Sequence, residues 1–496
     1  MLIFLVFCIT ISGIYSYDST FITCDRESYV SFGVEIEPFY SQKWNETLPA
    51  PVYAQSQKCC WRVYIPIDFY VLFIMEANIG VDSTLKITDI NNKTEIVMTS
   101  DQQPYVFVGS WFTIDLTVGP TIDATSFGFK VEWNPYPKPN PAYYNVTKAS
   151  DALTFDEMLF ENSVTITAET QVSLLAFPSD IPDLTPLLRL TLVFDGPTIN
   201  SSYIGTLFQA LRCNKPMISS SNQMTIFTFQ EDYIIGSYFL VQDYYNVRKL
   251  SEMKGITCWS QSSCPVTLTA ANGPVAVMTL NSDDGDEFIK RLDLSSDAVL
   301  KIYIGSRREG NDSNLIASYD LQQSKTNIPQ KFNGDVMTYY LEKGTALVEL
   351  AEDSNFTRWN DAASGREGFI TSRQLGTLCD TQDVYETIGG LSNTVSETDQ
   401  MFEFTVNVTY VDVSNDAKLT ITFGNDTEHK QYTISKESSP SSSVYTAISN
   451  NLTVLYFTNQ TSSTGFYLEF KIDSAQSPGS YASTFMPFFV ILLFLL

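Results

Sequence analysis

Few residues in this 496-residue chain are of the types that covalent chemistry needs. Its one histidine, His429, sits in the polar run Asn425-Asp-Thr-Glu-His-Lys430. A single imidazole leaves no room for multi-histidine zinc ligation. A Ser-His-Asp triad would have to use His429, and no GxSxG elbow accompanies it. The turn-like surroundings predict a solvated side chain instead. There is no Walker loop and no GxGxxG. Carboxylates are plentiful, 56 in all, but nothing marks out one pair at a glycosidase spacing. The densest acidic stretch is Ser282-Asp283-Asp284-Gly285-Asp286-Glu287. Calcium takes about six to eight oxygen ligands, and aspartates around a glycine turn supply several. Asp283, Asp284, Asp286 and Glu287 are therefore calcium candidates. The EF-hand spacing is not met, and a solvated acidic loop between strands is the plainer expectation. No other cofactor is expected, and the chain does not read as an enzyme.

Charge and termini say where such a chain works. With 30 basic against 56 acidic residues, the net charge of −26 repels nucleic-acid phosphate, so no nucleic-acid partner is expected. Leu2 to Ile14 is an apolar run too short to span a bilayer, and residues 1–16 read as a signal peptide cleaved after Ser16. Its first residues carry no Lys or Arg. Phe485 to Leu496 is a second short apolar run, preceded by the small polar segment Asp473-Ser474-Ala475-Gln476-Ser477-Pro478-Gly479-Ser480. That is the pattern of a GPI-attachment signal. Asp473 or Ser474 fits the spacer best, with Ser480 second, and 474–496 would be the propeptide. The mature chain is then expected at the outer leaflet of the plasma membrane, held by lipid or shed. Ten N-x-Ser/Thr sequons suit that compartment: Asn45, Asn92, Asn145, Asn200, Asn311, Asn355, Asn407, Asn425, Asn451 and Asn459. Seven cysteines outlast signal removal, namely Cys24, Cys59, Cys60, Cys213, Cys258, Cys264 and Cys379. Outside the cell most should pair, and the odd count leaves one over. Cys258 and Cys264 are close enough in sequence to bridge locally.

The elements that must carry these groups are strands. Phe127, Phe129, Val131 and Trp133 alternate with Gly128, Lys130 and Glu132. Phe402 to Val408 and Phe466 to Ile472 alternate in the same way. One face of each is apolar and the other wet, as in antiparallel sheets with one buried side. One strand recurs at Leu85-Lys-Ile87, Leu190 to Phe194, Leu300 to Ile304 and Leu419 to Phe423. Closing strands follow at Phe127 to Trp133, Tyr238 to Val241, Gly368 to Ile370 and Phe466 to Ile472. Opening strands precede at Arg62 to Ile65, Val164 to Ala168, Val266 to Ala270 and Phe402 to Val408. This rhythm predicts an all-β chain of four tandem β-sandwich modules: 17–137, 138–246, 247–375 and 376–473. Pro135, Pro137, Pro139 and Pro141 should break strand pairing and form a semi-rigid spacer. Short helices are expected at 204–211 and 287–292. Trp61 and Trp133 fall on apolar faces and should be core, whereas Trp44 and Trp359 stand in polar surroundings beside sequons.

The first repeat resembles the CUB-like domain family expanded in nematodes. The matching residues are Trp44-Asn-Glu-Thr-Leu-Pro49-Ala-Pro51, Cys59-Cys60-Trp61-Arg-Val63-Tyr-Ile65-Pro66, Tyr70-Val-Leu, Pro104-Tyr105, Phe112-Thr113-Ile-Asp-Leu116, and Phe129-Lys130-Val-Glu-Trp133-Asn-Pro135-Tyr-Pro137. The later repeats share the strand rhythm alone. The resemblance implies a jelly-roll-like sandwich with a disulfide near its first strands. The family's cysteine lies two residues before the tryptophan, which is Cys59 here and implies a Cys24–Cys59 bridge. Cys60 departs from the pattern, and a bond to Cys213, Cys379 or another chain is expected for it. Conventional CUB domains bind calcium through acidic loops, which the run at 282–287 resembles loosely. The family's association with pathogen and stress responses points to a surface recognition or adhesion module with an extracellular protein or glycan ligand. A ligand-free coat glycoprotein is the alternative, and an extracellular hydrolase the third reading.

Overall fold

The computed structural model describes residues 21–475 apart from 34–36, 100–104, 121–123, 157–161, 180, 230–237, 259–262, 282–285, 353–356, 374, 377–381, 390–399, 425–428 and 438–442. The signal segment, the apolar tail, Asp283, Asp284, Asn355, Cys379 and Asn425 lie outside the described residues. The chain divides into two compact units, Met1–Lys138 and Pro139–Leu496.

The first unit is one sandwich. Its five-stranded sheet runs β1 (Ser28–Val30), β3 (Lys58–Tyr64), β8 (Trp111–Thr117), β5 (Thr84–Thr88), β6 (Thr94–Val97). Its four-stranded sheet runs β2 (Phe39–Tyr40), β9 (Ser126–Pro135), β4 (Phe69–Asn78), β7 (Tyr105–Phe107). β1 lies parallel to β3, and the other pairs are antiparallel. Alternation decides what is buried: Trp61 and Val63 of β3, Phe112, Ile114 and Leu116 of β8, Val71, Phe73 and Met75 of β4, and Phe127, Phe129, Val131 and Trp133 of β9 share one core. Each such side chain contributes roughly 1.5–3 kcal/mol of apolar burial. Trp44 is buried against the outer face of the four-stranded sheet, with its indole nitrogen donating to Glu76 at 3.2 Å. It fits because position 128 is glycine, where a Cβ would stand 2.4 Å from the indole.

The second unit repeats the same plan three times. Sheet β10 (Pro141–Val146), β12 (Ser163–Ala168), β17 (Gln223–Thr228), β14 (Thr191–Asp195), β15 (Ser202–Thr206) faces β11 (Leu153–Asp156), β18 (Tyr238–Asp243), β13 (Val172–Ala176), β16 (Met217–Ile218). Sheet β19 (Glu252–Ile256), β21 (Val275–Leu280), β26 (Val336–Leu341), β23 (Leu300–Ile304), β24 (Leu315–Tyr319) faces β20 (Cys264–Thr269), β27 (Thr345–Ala351), β22 (Asp286–Leu294), β25 (Gln330–Asn333). The fourth sandwich pairs β29 (Val384–Gly389), β34 (Asn451–Phe457), β31 (Lys418–Gly424), β32 (His429–Ile434) with β28 (Arg366–Thr371), β35 (Phe466–Ser474), β30 (Phe402–Val411), β33 (Val444–Ser449). Among the described residues it lacks the parallel first strand of its sisters. The all-β, multi-sandwich, jelly-roll-like architecture is thus plain.

The recurring strand occupies β5, β14, β23 and β31, the same place in each sheet. Several other elements differ from the expectation. Gly368–Ile370 is not the third closing strand: it belongs to β28 and pairs with β35 of the fourth sandwich. The third closing strand is β27, whose alternation Ala346, Val348, Leu350 is as regular as the others. The opening strands at Val266 and Phe402 are β20 and β30, which sit in the four-stranded sheets, whereas those at Arg62 and Val164 are β3 and β12 of the five-stranded ones. Residues 287–292 form strand β22 and not a helix, since β-bonding to β25 and β27 uses both its edges. The helix expected over 204–211 is confined to α1 (Leu207–Leu211), capped by Thr206 and Gln209. Pro135 ends β9 and Pro141 opens β10, strand-end positions where the missing N–H is tolerated, so the four prolines do not all stand outside strands.

Within the second unit, buried clusters join neighbouring sandwiches. Leu175, Phe177 and Leu240 pack with Met253, Ala276, Met278 and Val336. Asn246 donates to Lys148 O and accepts from Glu309 N across that junction. Between the third and fourth sandwiches, Gln330 accepts from Phe369 N at 3.1 Å and donates to Phe369 O at 2.8 Å. Asn333 donates to Thr371 O, and Arg373 pairs with Asp335.

Candidate recognition surface

Among the described residues, the acids and the histidine singled out for chemistry are not brought together. Asp286 and Glu287 are neighbours on β22, so their side chains leave opposite faces. Asp286 pairs with Lys331 at 2.6 Å, and Lys331 also binds Glu386. Glu287 is 0% exposed inside the third sandwich. Its Oε1 accepts from Thr279 Oγ1 at 3.0 Å and from Tyr339 Oη. Burial pushes its carboxyl up to about 7, against the pull of those two hydrogen bonds. The two acids therefore do not share one ion, and no group of three metal-ligating side chains occurs among the described residues. His429 is exposed at the start of β32. Trp359 is a core residue, its indole nitrogen bonded to Glu386 at 3.1 Å, and Trp44 is buried over Gly128 on the outer face of its sheet. Asp473 and Ser474 end β35, where Asp473 pairs with Lys471 and Ser474 Oγ meets Ser364 Oγ.

Cys24 is bonded to Cys59, and Cys258 to Cys264, each pair with Cα atoms 5.7 Å apart. Cys60 and Cys213 are free thiols. Burial, then the hydrogen bond and charge of Asp115, push the Cys60 thiol up to about 11. It stays protonated and is a poor nucleophile at neutral pH. Of the sequon asparagines, Asn45, Asn92, Asn145, Asn200, Asn311 and Asn459 are exposed, while Asn407 and Asn451 are half-buried.

A different set of side chains does converge, on the outward face of the first unit's five-stranded sheet. Because Cys59, Trp61 and Val63 point inward, β3 turns Lys58, Cys60, Arg62 and Tyr64 outward. Antiparallel register places Tyr64 beside Trp111, Arg62 beside Thr113 and Cys60 beside Asp115. The parallel β1 adds Tyr29 next to Arg62, and β5 adds Lys86 next to Asp115. The Tyr29 and Tyr64 rings lie 6.2 Å apart with planes only 19° from parallel. They remain 61% and 40% exposed, large values for a neighbouring aromatic pair. Arg62 holds its guanidinium carbon 5.0 Å from the centre of the Trp111 ring, and its Nε has no hydrogen-bond partner among the described residues. The carboxylate of Glu27, beside the Tyr29 hydroxyl, raises the phenol above its ordinary range. Both sequons of this unit lie elsewhere: Asn92 in the turn between β5 and β6 at the far edge, and Asn45 in the loop after β2. The signal missed in the sequence was Tyr29, whose place beside Arg62 depends on a parallel pairing that spans more than thirty residues.

The third sandwich has an open groove of about 460 Å³ lined by Thr267, Thr269, Asp293, Ser295, Thr345 and Leu347. It offers hydroxyls and one carboxylate without an aromatic ring. Among the described residues no helix is long and apolar enough to cross a membrane.

Residues 22–137 match the CUB-like domain family, so the first unit carries a CUB-like domain. Residues 145–229 match a domain of unknown function (DUF7592), and residues 245–353 another (DUF7591). Among solved structures the chain is similar to the CUB1-EGF-CUB2 domain of human MASP-1/3, at 12% identity over 42% of this chain and 98% of that one, with TM-score 0.17. The corresponding domains of rat MASP-1 align at 11% identity over 44% and 99%, with TM-score 0.19. The full extracellular region of zebrafish Gpr126/Adgrg6 aligns at 9% identity over 66% and 52%, with TM-score 0.18. No curated protein matches.

Proposed function

We propose that this chain is a non-catalytic extracellular recognition module whose CUB-like domain presents the five-stranded sheet face as its contact surface. The observation that carries the reading is the Tyr29–Tyr64 ring pair beside Arg62 and Trp111, left open on a rigid sheet. Aromatic and arginine side chains are what recognition surfaces concentrate. The bridges Cys24–Cys59 and Cys258–Cys264 support an oxidising, extracellular setting. In this reading the chain is glycosylated and tethered to the outer leaflet by a lipid at Asp473 or Ser474, and it serves a response to pathogens or stress.

The test is attachment of the fluorescently labelled, secreted full chain to intact cells and to extracellular matrix. The double variant Tyr29→Ala/Tyr64→Ala should lose attachment and keep its melting temperature, because both side chains are exposed. Undiminished attachment would move recognition off this face. No attachment by the parent chain would leave the ligand-free coat reading standing.

A further inference from the structure

Resting on that reading, we propose that the ligand of this face is a neutral oligosaccharide, gripped by the exposed Tyr29 and Tyr64 rings and hydrogen-bonded by the charged side chains around them. Sugars are recognised by two kinds of group acting together. An aromatic plane packs against the C–H-rich face of a pyranose, and planar polar side chains chelate its neighbouring hydroxyls. Both occur here. The rings are near-parallel, 6.2 Å apart, and open to solvent. A tyrosine ring brings a large contact area at low entropic cost.

The polar groups are of mixed sign. Arg62 stands beside Tyr29 with guanidinium donors that no described carboxylate takes up in an ion pair, and Glu27 supplies acceptors at Tyr29 itself. Asp115 and Lys86 continue the same face as cross-strand neighbours. Carboxylate and guanidinium forks match vicinal hydroxyls as both acceptors and donors. The same mixture argues against a polyanionic glycan. A sulfated chain would meet Glu27 and Asp115 on the face and a net charge of −26 on the molecule. Stacking that is already satisfied also positions the site: Arg62 is fixed over Trp111, so its remaining donors are pre-set before the ligand arrives.

The proposal is tested by applying the secreted full chain to an array of neutral oligosaccharides of glucose, galactose, mannose and N-acetylglucosamine, printed with their sulfated and sialylated counterparts. Binding to neutral members is expected, followed by titration of the best neutral tetrasaccharide against the variants. Tyr64→Ala and Tyr29→Ala should each weaken binding by roughly tenfold. Tyr143→Ala, an exposed tyrosine of β10, should not change it. Binding to sulfated or sialylated members alone overturns the neutral-sugar assignment. An array blank on both arms, with cell attachment still lost in Tyr29→Ala/Tyr64→Ala, overturns the glycan and leaves the recognition face intact. A blank array and attachment indifferent to those substitutions overturn both.

Discussion

At Glu287 a carboxyl group lies where water does not reach. Its folded pKa is about 7 against an ordinary 4.5, because burial penalises the charged form more than Thr279 and Tyr339 favour it. A raised acid binds its proton more tightly in the folded state. Stability is therefore full below about pH 4.5 and falls as pH rises towards 7, by roughly 3 kcal/mol in total. Melting of the third sandwich should drop between pH 4.5 and 7 and level off above that. Glu287→Gln, with the same shape and no charge, should abolish the slope and raise the melting temperature at pH 8. A parent chain whose third sandwich melts at the same temperature at pH 4.5 and pH 8 would refute this account. In the sequence Glu287 reads as the last member of an acidic loop. What hid its burial is that four charged residues in five outweigh a strand signal that begins only at Phe288. The helix expected over 287–292 hid it further, since only as strand β22 does Glu287 share a face with Ile289, a buried residue.

Gln330 shows how an element can be completed from outside its own sheet. As the first residue of β25 it binds both backbone groups of Phe369 in β28, standing in for a peptide partner at the edge of the fourth sandwich. Phe332 packs edge-on to Phe369, and Phe369 stacks on Tyr467, so the junction is apolar around that clasp. Gln330→Ala would leave a buried N–H and C=O without partners, at a cost of roughly 2–4 kcal/mol. Calorimetry should then show the third and fourth sandwiches separating into two transitions, while Gln322→Ala, on an exposed turn, leaves the scan unchanged. An unaltered scan for Gln330→Ala would mean that the rings alone hold the junction. This contact also explains why part of the repeat was misread. Gly368–Ile370 has the composition of a closing strand, and its sequence position follows β27. Only the pairing with β35 assigns it forward. The recurring strand was readable because β5, β14, β23 and β31 each pair on both sides, which demands the same alternating apolar residues. Edge strands such as β1 and β25 carry three or four residues and little pattern, so their partners follow from the chain's path rather than from their own sequence.

Across the whole molecule, the sequons show which surfaces the chain can cover with glycan. Asn45, Asn92, Asn145, Asn200, Asn311 and Asn459 open to solvent from turns, loops or an edge strand in both units. Asn407 and Asn451 are half-buried and already engaged: Asn407 Nδ2 donates to Glu469 at 3.4 Å, and Asn451 Oδ1 accepts from Gly424 N at 3.1 Å. A glycan amide keeps only one N–H and carries a bulky sugar on that nitrogen, so Asn407 would lose the room for its contact. Enzymatic deglycosylation in heavy-oxygen water, read by peptide mass, should find the six exposed positions occupied and Asn407 low. Full occupancy at Asn407 would show that the outer face of β30 is more open than its packing against Glu469 allows. The same map bears on recognition. A glycan at Asn45, beside the outer face of the four-stranded sheet, and one at Asn92, in the turn beyond β5, would leave the Tyr29–Tyr64 face open, so stripping them should leave sugar binding unchanged. If stripping instead weakens binding, the contact surface must extend from the sheet face onto the chain's own glycans.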